Sequence, residues 1–334
     1  MTTPTSAFPT PRAATAASAA AEADGPTVAI DIGGTKIAGA LVHPDGSMTA
    51  ATRRPTPRAT DPEAVMAAVT EVIAELSGAP QWERAVRCGI GSAGPVDTSR
   101  GTVSPVNIGA WRGFPVQERV AAELGARGAR VPVVLAGDGV AMTAAEHWLG
   151  AARGYANALC MVVSTGVGGG LVLNDRLHAG PTGNAGHIGH ISVAFDGEPC
   201  VCGGRGCVES LASGTAIARW ARDQGWTGPD PTAAGVAASA GAGDPVALAA
   251  FDRAGRALAA AIAATATLVE TDIAVIGGGV AASGDTLFGP VRRHLASYAT
   301  LSFVQDLRVV PAALGTHAGI IGAAAAAMML APAG

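Results

Sequence analysis

Short apolar runs alternate with glycine-rich turns and with longer helical patterns along this chain. The apolar runs predict strands at residues 28–30, 37–42, 88–91, 131–136, 160–163, 171–173 and 273–276. Helical patterns occupy residues 61–78 and 115–126, between these strands. Strands that alternate with helices indicate an α/β protein, a class that often binds its ligands in clefts between domains.

Two of the predicted hairpins have turns that are rich in glycine. The first turn belongs to Asp31-Ile-Gly-Gly-Thr-Lys36, and the second lies within residues 164–170, about half a chain later. Small turn residues let backbone amides approach an anion such as a phosphate group. The recurrence of this arrangement predicts two related halves, each opening with a turn that can approach a phosphate.

An ordinary glycine hairpin would explain either turn if it stood alone. A third glycine-rich segment at residues 277–284, and two aspartates at strand ends, Asp31 and Asp138, change that interpretation. Together they favour a cleft that binds the phosphates of ATP. Nucleotide phosphates in such a cleft require Mg²⁺, held by a few carboxylates or by their waters.

Composition places the chain among soluble proteins with small-molecule ligands. Its 334 residues predict about two domains, and 49% apolar residues are enough for two cores. The net charge is −4, from 22 basic and 26 acidic residues without a basic cluster, which predicts neither nucleic-acid nor membrane binding.

Residues 1–26 are low in complexity and lack an apolar segment, which predicts a disordered tail and no signal peptide. The apolar segment 318–331 is too short to span a membrane and is predicted to be a packed helix.

A cluster of cysteine and histidine residues is the most informative stretch of the sequence. Its members, His190, Cys200, Cys202 and Cys207, fall within eighteen residues that include several glycines. Zinc prefers four such ligands in a tetrahedron, and the glycines let the backbone turn tightly around it. The alternative is a disulfide or inert thiols, but five cysteines without a secretory signal indicate a cytoplasmic protein. We therefore predict a structural zinc site, because four protein ligands leave no open position for catalysis.

One motif raises the possibility of a hydride-transfer enzyme. Residues 89–94 match the dinucleotide pattern G-x-G-x-x-G. That pattern requires a helix immediately after it, whereas Pro95-Val-Asp-Thr continues as a loop. The dinucleotide hypothesis is therefore rejected, and a Walker A sequence is absent.

Taken together, these segments resemble the ROK family of bacterial sugar kinases over residues 28–327. The matching segments, in family order, are residues 31–36, 89–97, 107–111, 164–170, 185–190 and 200–209. The resemblance implies the actin-like ATPase (ribonuclease H-like) fold, with two α/β domains around a central cleft. These would be residues 27–135, completed by the C-terminal helix 318–331, and residues 136–317, which contain a zinc-bound loop at 187–209. It also implies a cytoplasmic homodimer that transfers the γ-phosphate of ATP to the 6-hydroxyl of a hexose.

The resemblance assigns roles position by position. Asp138 matches the general base, and an ordinary Asp with a pKa of about 3.9 is already ionised, so its orientation should matter more than its activation. The sugar site would comprise Asp138 with Gly94, Asn107, His187, His190 and Glu209, His190 also being a zinc ligand. The nucleotide and its metal would be bound by Asp31, Gly33, Gly34, Thr35, Lys36, Thr165, Gly166, Gly168, Gly277, Gly278 and Gly279.

Two positions depart from the family pattern. Gly137 replaces the usual Asn before the catalytic Asp, so one sugar hydroxyl loses an amide partner unless a water or a neighbouring backbone group replaces it. His187 replaces a frequent Glu, and Ala-Gly-His-Ile-Gly-His at 185–190 resembles the bacterial N-acetylmannosamine kinases of the family. An imidazole imposes no fixed negative charge beside an amide at C2. We therefore expect N-acetylmannosamine as the first substrate and glucose as the second.

Two regulatory functions are the alternatives. Many ROK proteins are transcriptional repressors with a helix-turn-helix ahead of the kinase-like body, which needs several dozen residues. Only thirty precede Asp31, and they are low in complexity. A sugar sensor without catalysis or DNA binding is the other alternative, and Gly137 is the residue that favours it.

Overall fold

A five-stranded sheet with two helices forms the first half of the molecule. The computed structural model describes residues 25–330. The strands of this sheet are β1 (Thr27–Ile32), β2 (Lys36–Val42), β3 (Met48–Pro55), β4 (Arg87–Ser92) and β7 (Val133–Gly137), in the order β3-β2-β1-β4-β7. A small hairpin of β5 (Val96–Asp97) and β6 (Thr102–Val103) follows β4, and the helices are α1 (Pro62–Ser77) and α2 (Val116–Ala126).

The second half repeats this sheet. Its strands are β8 (Ala158–Val163), β9 (Val167–Leu173), β10 (Arg176–His178), β11 (Ile273–Gly277) and β12 (Arg308–Pro311), in the order β10-β9-β8-β11-β12. In each sheet three strands form an antiparallel meander, and the next two run parallel to the first strand. The two sheets, with their helices, are called the first lobe and the second lobe below. Their common strand order confirms the predicted relation between the two halves.

The second lobe also contains most of the helices. These are α4 (Val208–Ala212), α5 (Gly214–Asp223), α6 (Ala233–Gly241), α7 (Pro245–Val269) and α8 (Asp285–Tyr298). Helix α7 starts where Asp244 accepts hydrogen bonds from the N–H groups of Val246 and Ala247, with proline at its first position. Its buried face joins Phe251 and Leu258 to strand residues of the second core such as Leu159 and Ile276.

Two helices connect the lobes. Helix α3 (Asp138–Trp148) follows β7 of the first sheet and packs on β8 and β9 of the second, while α9 (Ala318–Leu330) packs on α3 and on β1, β4 and β7. Small residues allow this close packing: a Cβ atom on Gly89 would lie 1.9 Å from the carbonyl oxygen of Ala323. The many Ala and Gly residues are therefore used where helices and strands pack backbone to backbone.

A fully buried carboxylate joins the two segments in which the chain crosses between the lobes. Glu146, near the end of α3, accepts hydrogen bonds from the N–H groups of Ala151 (2.8 Å), Ala313 (3.1 Å) and Leu314 (3.0 Å). Ala151 lies between α3 and β8, and the other two residues lie between β12 and α9. Backbone donors thus compensate the burial of this charge and connect both crossings.

The predicted elements are present, with bounds that differ by a few residues. Strand β7 starts at Val133 rather than at 131, and β1 extends through Asp31 and Ile32, so the first glycine turn is confined to residues 33–35. The domain bounds, and the division at residue 135, stay predictions. The predicted tail at 1–26 lies outside the described residues, apart from residues 25 and 26. No described helix is both long and apolar enough to cross a bilayer.

Candidate active site

The parallel strands of the first sheet bring three predicted segments to one edge. Because β1, β4 and β7 are parallel, their carboxyl ends place Asp31, the segment leading to Gly94, and Asp138 side by side. The two carboxylates are close enough for their charges to interact. This edge is called the first wall of the cleft.

Asp31 is a largely buried carboxyl group. Burial raises its pKa to about 6; the charge of Lys36 opposes this shift and the charge of Asp138 adds to it. The first turn of α9 lies against it, since a Cβ atom on Gly319 would lie 2.3 Å from Asp31 Oδ2. A carboxylate in this position is suited to bind a cation, because the charge of the cation would offset the cost of burying the ionised carboxylate.

Asp138 begins α3, directly after β7. Its Oδ1 atom accepts the N–H of Gly139 at 2.8 Å, which orients the carboxyl group. The expectation of an ordinary Asp is wrong, because burial raises its pKa, opposed by the Gly139 hydrogen bond and by the charge of His187. The raised pKa makes Asp138 a stronger proton acceptor than an exposed Asp.

The first glycine turn lies beside a residue predicted for the sugar. A Cβ atom on Gly34 would lie 2.6 Å from the side-chain amide of Asn107. Lys36 and Thr35 are exposed at the end of the same hairpin. Residues predicted to bind phosphate and residues predicted to bind the sugar therefore lie side by side on the first wall. Transfer of a phosphoryl group between two substrates requires such proximity.

The second wall is formed by the ends of β8 and β11. The turn that contains Thr165 and Gly166 lies beside residues 277–279, where Val280 N–H donates to Val163 O at 3.0 Å. A cavity of about 380 Å³ opens here. Its lining includes Ser164, Thr165, Gly279, Thr215, Arg222 and Thr232.

Three residues of this lining, Thr215, Arg222 and Thr232, were missed by the sequence analysis. Thr215 donates its hydroxyl to the carbonyl of Thr165 at 3.1 Å, so the start of α5 supports the turn directly. Arg222 donates to Pro231 O at 3.1 Å and thereby closes one side of the cavity. The sequence contains no local signal for these residues, because they come from helices and loops far from the glycine turns.

The predicted sugar residues of the second lobe converge opposite Asp138. The rings of His187 and His190 stack with centroids 5.0 Å apart, and His187 interacts with the charges of Asp138 and Glu209. Burial, and secondarily His190, lowers the pKa of His187, so its imidazole is neutral at pH 7. Glu209 accepts the N–H of Val167 at 2.8 Å, which connects this predicted sugar-binding residue to the second glycine turn.

Gly137 leaves an open position at the end of β7. A Cβ atom there would find no neighbour closer than the carbonyl oxygen of Gly183, at 3.7 Å, with Val96 next. The nearest backbone group is thus a hydrogen-bond acceptor, whereas an Asn side chain would also offer a donor. Gly137 therefore offers no side-chain hydrogen bond at the position where the family usually has Asn, and it leaves space there.

The cysteine and histidine cluster has the geometry of a zinc site. The ligand atoms of His190, Cys200, Cys202 and Cys207 all lie within 4.8 Å of one another. Cys202 Sγ is 3.7 Å from Cys207 Sγ, and Cys200 Sγ is 3.8 Å from His190 Nδ1. A tetrahedron with Zn–S bonds of about 2.3 Å has edges of about 3.8 Å, so these residues fit zinc.

The thiols of this cluster differ in their electrostatics. Gly204 N–H donates to Cys202 Sγ at 3.4 Å and lowers the pKa of that thiol, whereas burial raises the pKa of Cys207 to about 12. A bound cation would supply the charge that stabilises the Cys207 thiolate. Zinc would here connect the loop of His190 to the start of α4, where Glu209 lies.

Ion pairs hold the cysteine loop against the second lobe. Glu198 accepts from Arg219 of α5 at 2.7 Å and from Arg253 of α7 at 3.2 Å. Arg253 also lies over the ring of Trp220, with its guanidinium carbon 5.8 Å from the ring centroid. These contacts join the loop to two helices in addition to the metal ligands, but Glu198 and Arg219 are half-exposed, so the ion pairs alone contribute little to its order.

Two sheets of the same strand order, with a cleft lined by glycine turns and carboxylates, have the architecture of the actin-like ATPase fold, which ROK sugar kinases share. The model of the ROK family matches residues 27–329. The chain is 33% identical to the glucokinase of Streptomyces coelicolor, over 90% of this chain and 96% of that protein. It is 35% identical to the N-acetylmannosamine kinase of Yersinia pseudotuberculosis, over 90% and 97% respectively.

Solved structures agree with this assignment. A ROK family glucokinase from Streptomyces griseus, in complex with glucose and AMPPNP, matches with a TM-score of 0.75 and 32% identity, over 91% of this chain and 99% of that one. The chain therefore belongs to the ROK family. Relatives with different sugars match about equally, at 33% and 35% identity, so overall similarity does not determine the sugar.

Proposed function

We propose that this protein transfers the γ-phosphate of ATP to the 6-hydroxyl of a hexose, with N-acetylmannosamine as the first acceptor and glucose as the second. The observation that carries this proposal is the position of Asp138. Its carboxyl group lies on the first wall, within the electrostatic reach of His187 on the second. A single oriented carboxylate between a phosphate site and a sugar site is what phosphoryl transfer to a hydroxyl requires.

The role of Asp138 is to accept the proton of the sugar hydroxyl. Its Oδ1 is held by the Gly139 N–H, which leaves Oδ2 for the substrate. As the hydroxyl oxygen bonds to the γ-phosphorus, the bond from that phosphorus to the β-γ bridging oxygen breaks and ADP leaves. The raised pKa of Asp138 favours this proton transfer, provided that the group is ionised at the working pH.

The nucleotide would lie across both glycine turns. The N–H of Gly33 donates to the carbonyl of Lys36 within the hairpin, so the backbone N–H groups of residues 34–35 and 165–166 are the ones suited to the β- and γ-phosphates. The cavity beside Thr165 and Gly279 is suited to the adenosine. Gly168 lies at the Asp138 end of this wall, since a Cβ atom on it would lie 4.0 Å from Asp138 Oδ1. Asp31 would help to hold Mg²⁺, which neutralises phosphate charge when it is bound.

His187 supports the preference for an N-acetylated sugar. Its lowered pKa keeps the ring neutral, so it can donate or accept one hydrogen bond without placing a negative charge beside an amide. His190, Glu209, Gly94 and Asn107 would bind the remaining hydroxyls. The position of Nδ1 of His190 near Cys200 leaves its Nε2 atom for the sugar.

A panel of ATP-dependent phosphorylation assays tests this function. The acceptors are N-acetylmannosamine, glucose, mannose, N-acetylglucosamine and galactose. The highest kcat/KM on N-acetylmannosamine supports the proposal, and the highest value on glucose makes the protein a glucokinase. Binding of sugars without turnover on any of them would instead support the sugar sensor. Homodimer assembly and a cytoplasmic location stay predictions.

A further inference from the structure

A pair of hydrogen bonds crosses the cleft between the lobes at its sugar end. Asn184 lies in the loop between β10 and His187, and its Nδ2 donates to the carbonyl of Val96 at 2.7 Å. Its Oδ1 accepts the N–H of the same Val96 at 3.3 Å. One side-chain amide therefore satisfies both backbone groups of a residue in the other lobe.

Backbone contacts beside Asn184 make the same crossing. Thr98 N–H donates to the carbonyl of Thr182 at 3.1 Å. Gly183 has a φ of +87°, and a Cβ atom on it would lie 2.5 Å from Cγ2 of Thr98. Only glycine allows the loop to approach the β5–β6 hairpin this closely.

The crossing joins segments that both carry residues of the proposed sugar site. Val96 follows Gly94 by two residues, and Asn184 precedes His187 by three. The side chain of Val96 and the carbonyl of Gly183 are also the nearest neighbours of the open position at Gly137. A contact here determines how far His187 lies from the first wall, on which Asp138 sits.

We propose that Asn184 is a positioning residue for sugar binding, which holds the 180–187 loop against Val96 so that His187 faces the sugar from the second lobe. This inference rests on the proposed function, because it assigns the sugar to this end of the cleft. Without the two bonds, the sugar itself would have to order the loop when it binds, and affinity would fall by that cost. The nucleotide turns lie on other elements, so ATP binding does not depend on this contact.

Two substitutions of Asn184 isolate these hydrogen bonds. Asn184→Leu keeps the size of the side chain and removes both bonds, while Asn184→Asp can accept from Val96 N–H but cannot donate to its carbonyl. Each bond is worth a factor of roughly two to ten, so we expect Asn184→Leu to raise the sugar KM by about tenfold or more. The KM for ATP should stay within about twofold and kcat within about threefold, since no group that contacts the phosphates changes.

The matched control is Thr182→Val. The Thr182 hydroxyl lies 3.1 Å from Asn184 Nδ2 within the loop, so this variant alters a neighbouring contact and keeps both bonds to Val96. We expect it to show the sugar KM of the wild-type protein. Gly183→Ala provides a second test that leaves Asn184 intact, because the added methyl group would press against Thr98; it should also raise the sugar KM selectively.

Amide hydrogen exchange and calorimetry read the contact without turnover. In the free protein, the Val96 N–H should exchange faster in Asn184→Leu than in the wild-type protein, and at the wild-type rate in Thr182→Val. Calorimetric titration of Asn184→Leu with N-acetylmannosamine and with glucose should show a loss of affinity that matches the rise in sugar KM. The proposal would be overturned if Asn184→Leu exchanges the Val96 N–H faster but keeps the wild-type sugar KM and sugar affinity. It would also be overturned if the KM for ATP rises as much as the KM for the sugar. Failure of the wild-type protein to phosphorylate any sugar would refute the proposed function alone, because exchange and sugar titration would still test the contact.

Discussion

The two walls of the cleft come from sheets with the same strand order, but they differ in chemistry. The first wall contains Asp31, Asp138 and Lys36, and burial raises the pKa of both carboxyl groups. The second wall contains a neutral glycine turn, a cavity and the metal-ligand cluster. Repetition of the fold thus provides two similar surfaces, and the side chains there differ: the carboxylate proposed to react lies on the first wall, and His187, His190 and Glu209, proposed to bind the sugar, lie on the second.

This difference makes opposite predictions for the two walls. Substitution of the carboxylate proposed as the base on the first wall should lower kcat and leave sugar affinity unchanged, because that group acts as the phosphate moves. Substitutions on the second wall should raise KM or change the preferred sugar. Three of the variants below test this division and the fourth tests the burial of Asp31, and they run from the largest expected effect to the smallest.

Asp138→Asn should have the largest effect. The amide cannot accept the hydroxyl proton, so we expect kcat to fall by about 10³-fold or more, while sugar Kd stays within about threefold. Steady-state kinetics and calorimetric titration measure the two quantities. Asp252→Asn, on the surface between α7 and α8, is the control and should keep full activity. Near-normal turnover of the Asp138 variant would remove this residue from the role of base.

Cys202→Ser should act through the second wall. Loss of one thiolate should release zinc and disorder the loop that carries His190, which we expect to raise the sugar KM by about 10–100-fold. Metal analysis and kinetics provide the measurements. Cys88→Ala removes a buried thiol outside the cluster and should keep its zinc. Zinc content equal to that of the wild-type protein in Cys202→Ser would contradict the ligand assignment.

His187→Glu should change the preferred sugar and not the reaction. A carboxylate would place a fixed negative charge beside the C2 substituent, so the ratio of kcat/KM for N-acetylmannosamine to that for glucose should fall by about tenfold or more. His178→Glu, at an exposed position of β10, should leave this ratio unchanged. An unaltered ratio in the His187 variant would show that this residue does not select the sugar.

Asp31→Asn should have the smallest effect measured here, which is on stability. Because burial raises the pKa of Asp31 to about 6 from 3.8, its ionised form costs stability that is regained only by protonation. The variant should therefore have a Tm a few degrees higher at pH 7, a gain that disappears as the pH falls from about 6 to below 3.8.

Asp45→Asn is the control of opposite sign for this measurement. Hydrogen bonds from Ser47 lower the pKa of Asp45, so its ionised form is favoured in the folded state and the variant should gain no stability at pH 7. Thermal unfolding followed by circular dichroism between pH 3.5 and about 8 covers the relevant range. Equal or lower Tm values for Asp31→Asn at pH 7 would show that burial of this carboxylate is already compensated.

Local signals predicted much of the fold and of the candidate site. The glycine turns, the strands that lead into Asp31 and Asp138, and the cysteine spacing are all properties of short segments, and the structure contains each of them. The pKa of Asp138 was not predictable, because its burial results from α3 packing on the second sheet. Thr215, Arg222 and Thr232 were missed for the same reason: they reach the cavity from separate helices and loops.

The sequence by itself determined the family, the order of strands and turns along the chain, and the residues proposed to bind phosphate and zinc, because these depend on spacing and residue type along short segments. The tertiary structure alone decided that Glu146 joins the two crossings and that Asn184 bonds to Val96, since their partners are backbone groups that any residue provides. Partners of that kind leave no trace in residue identity. They become visible only when folding brings distant segments within hydrogen-bonding distance.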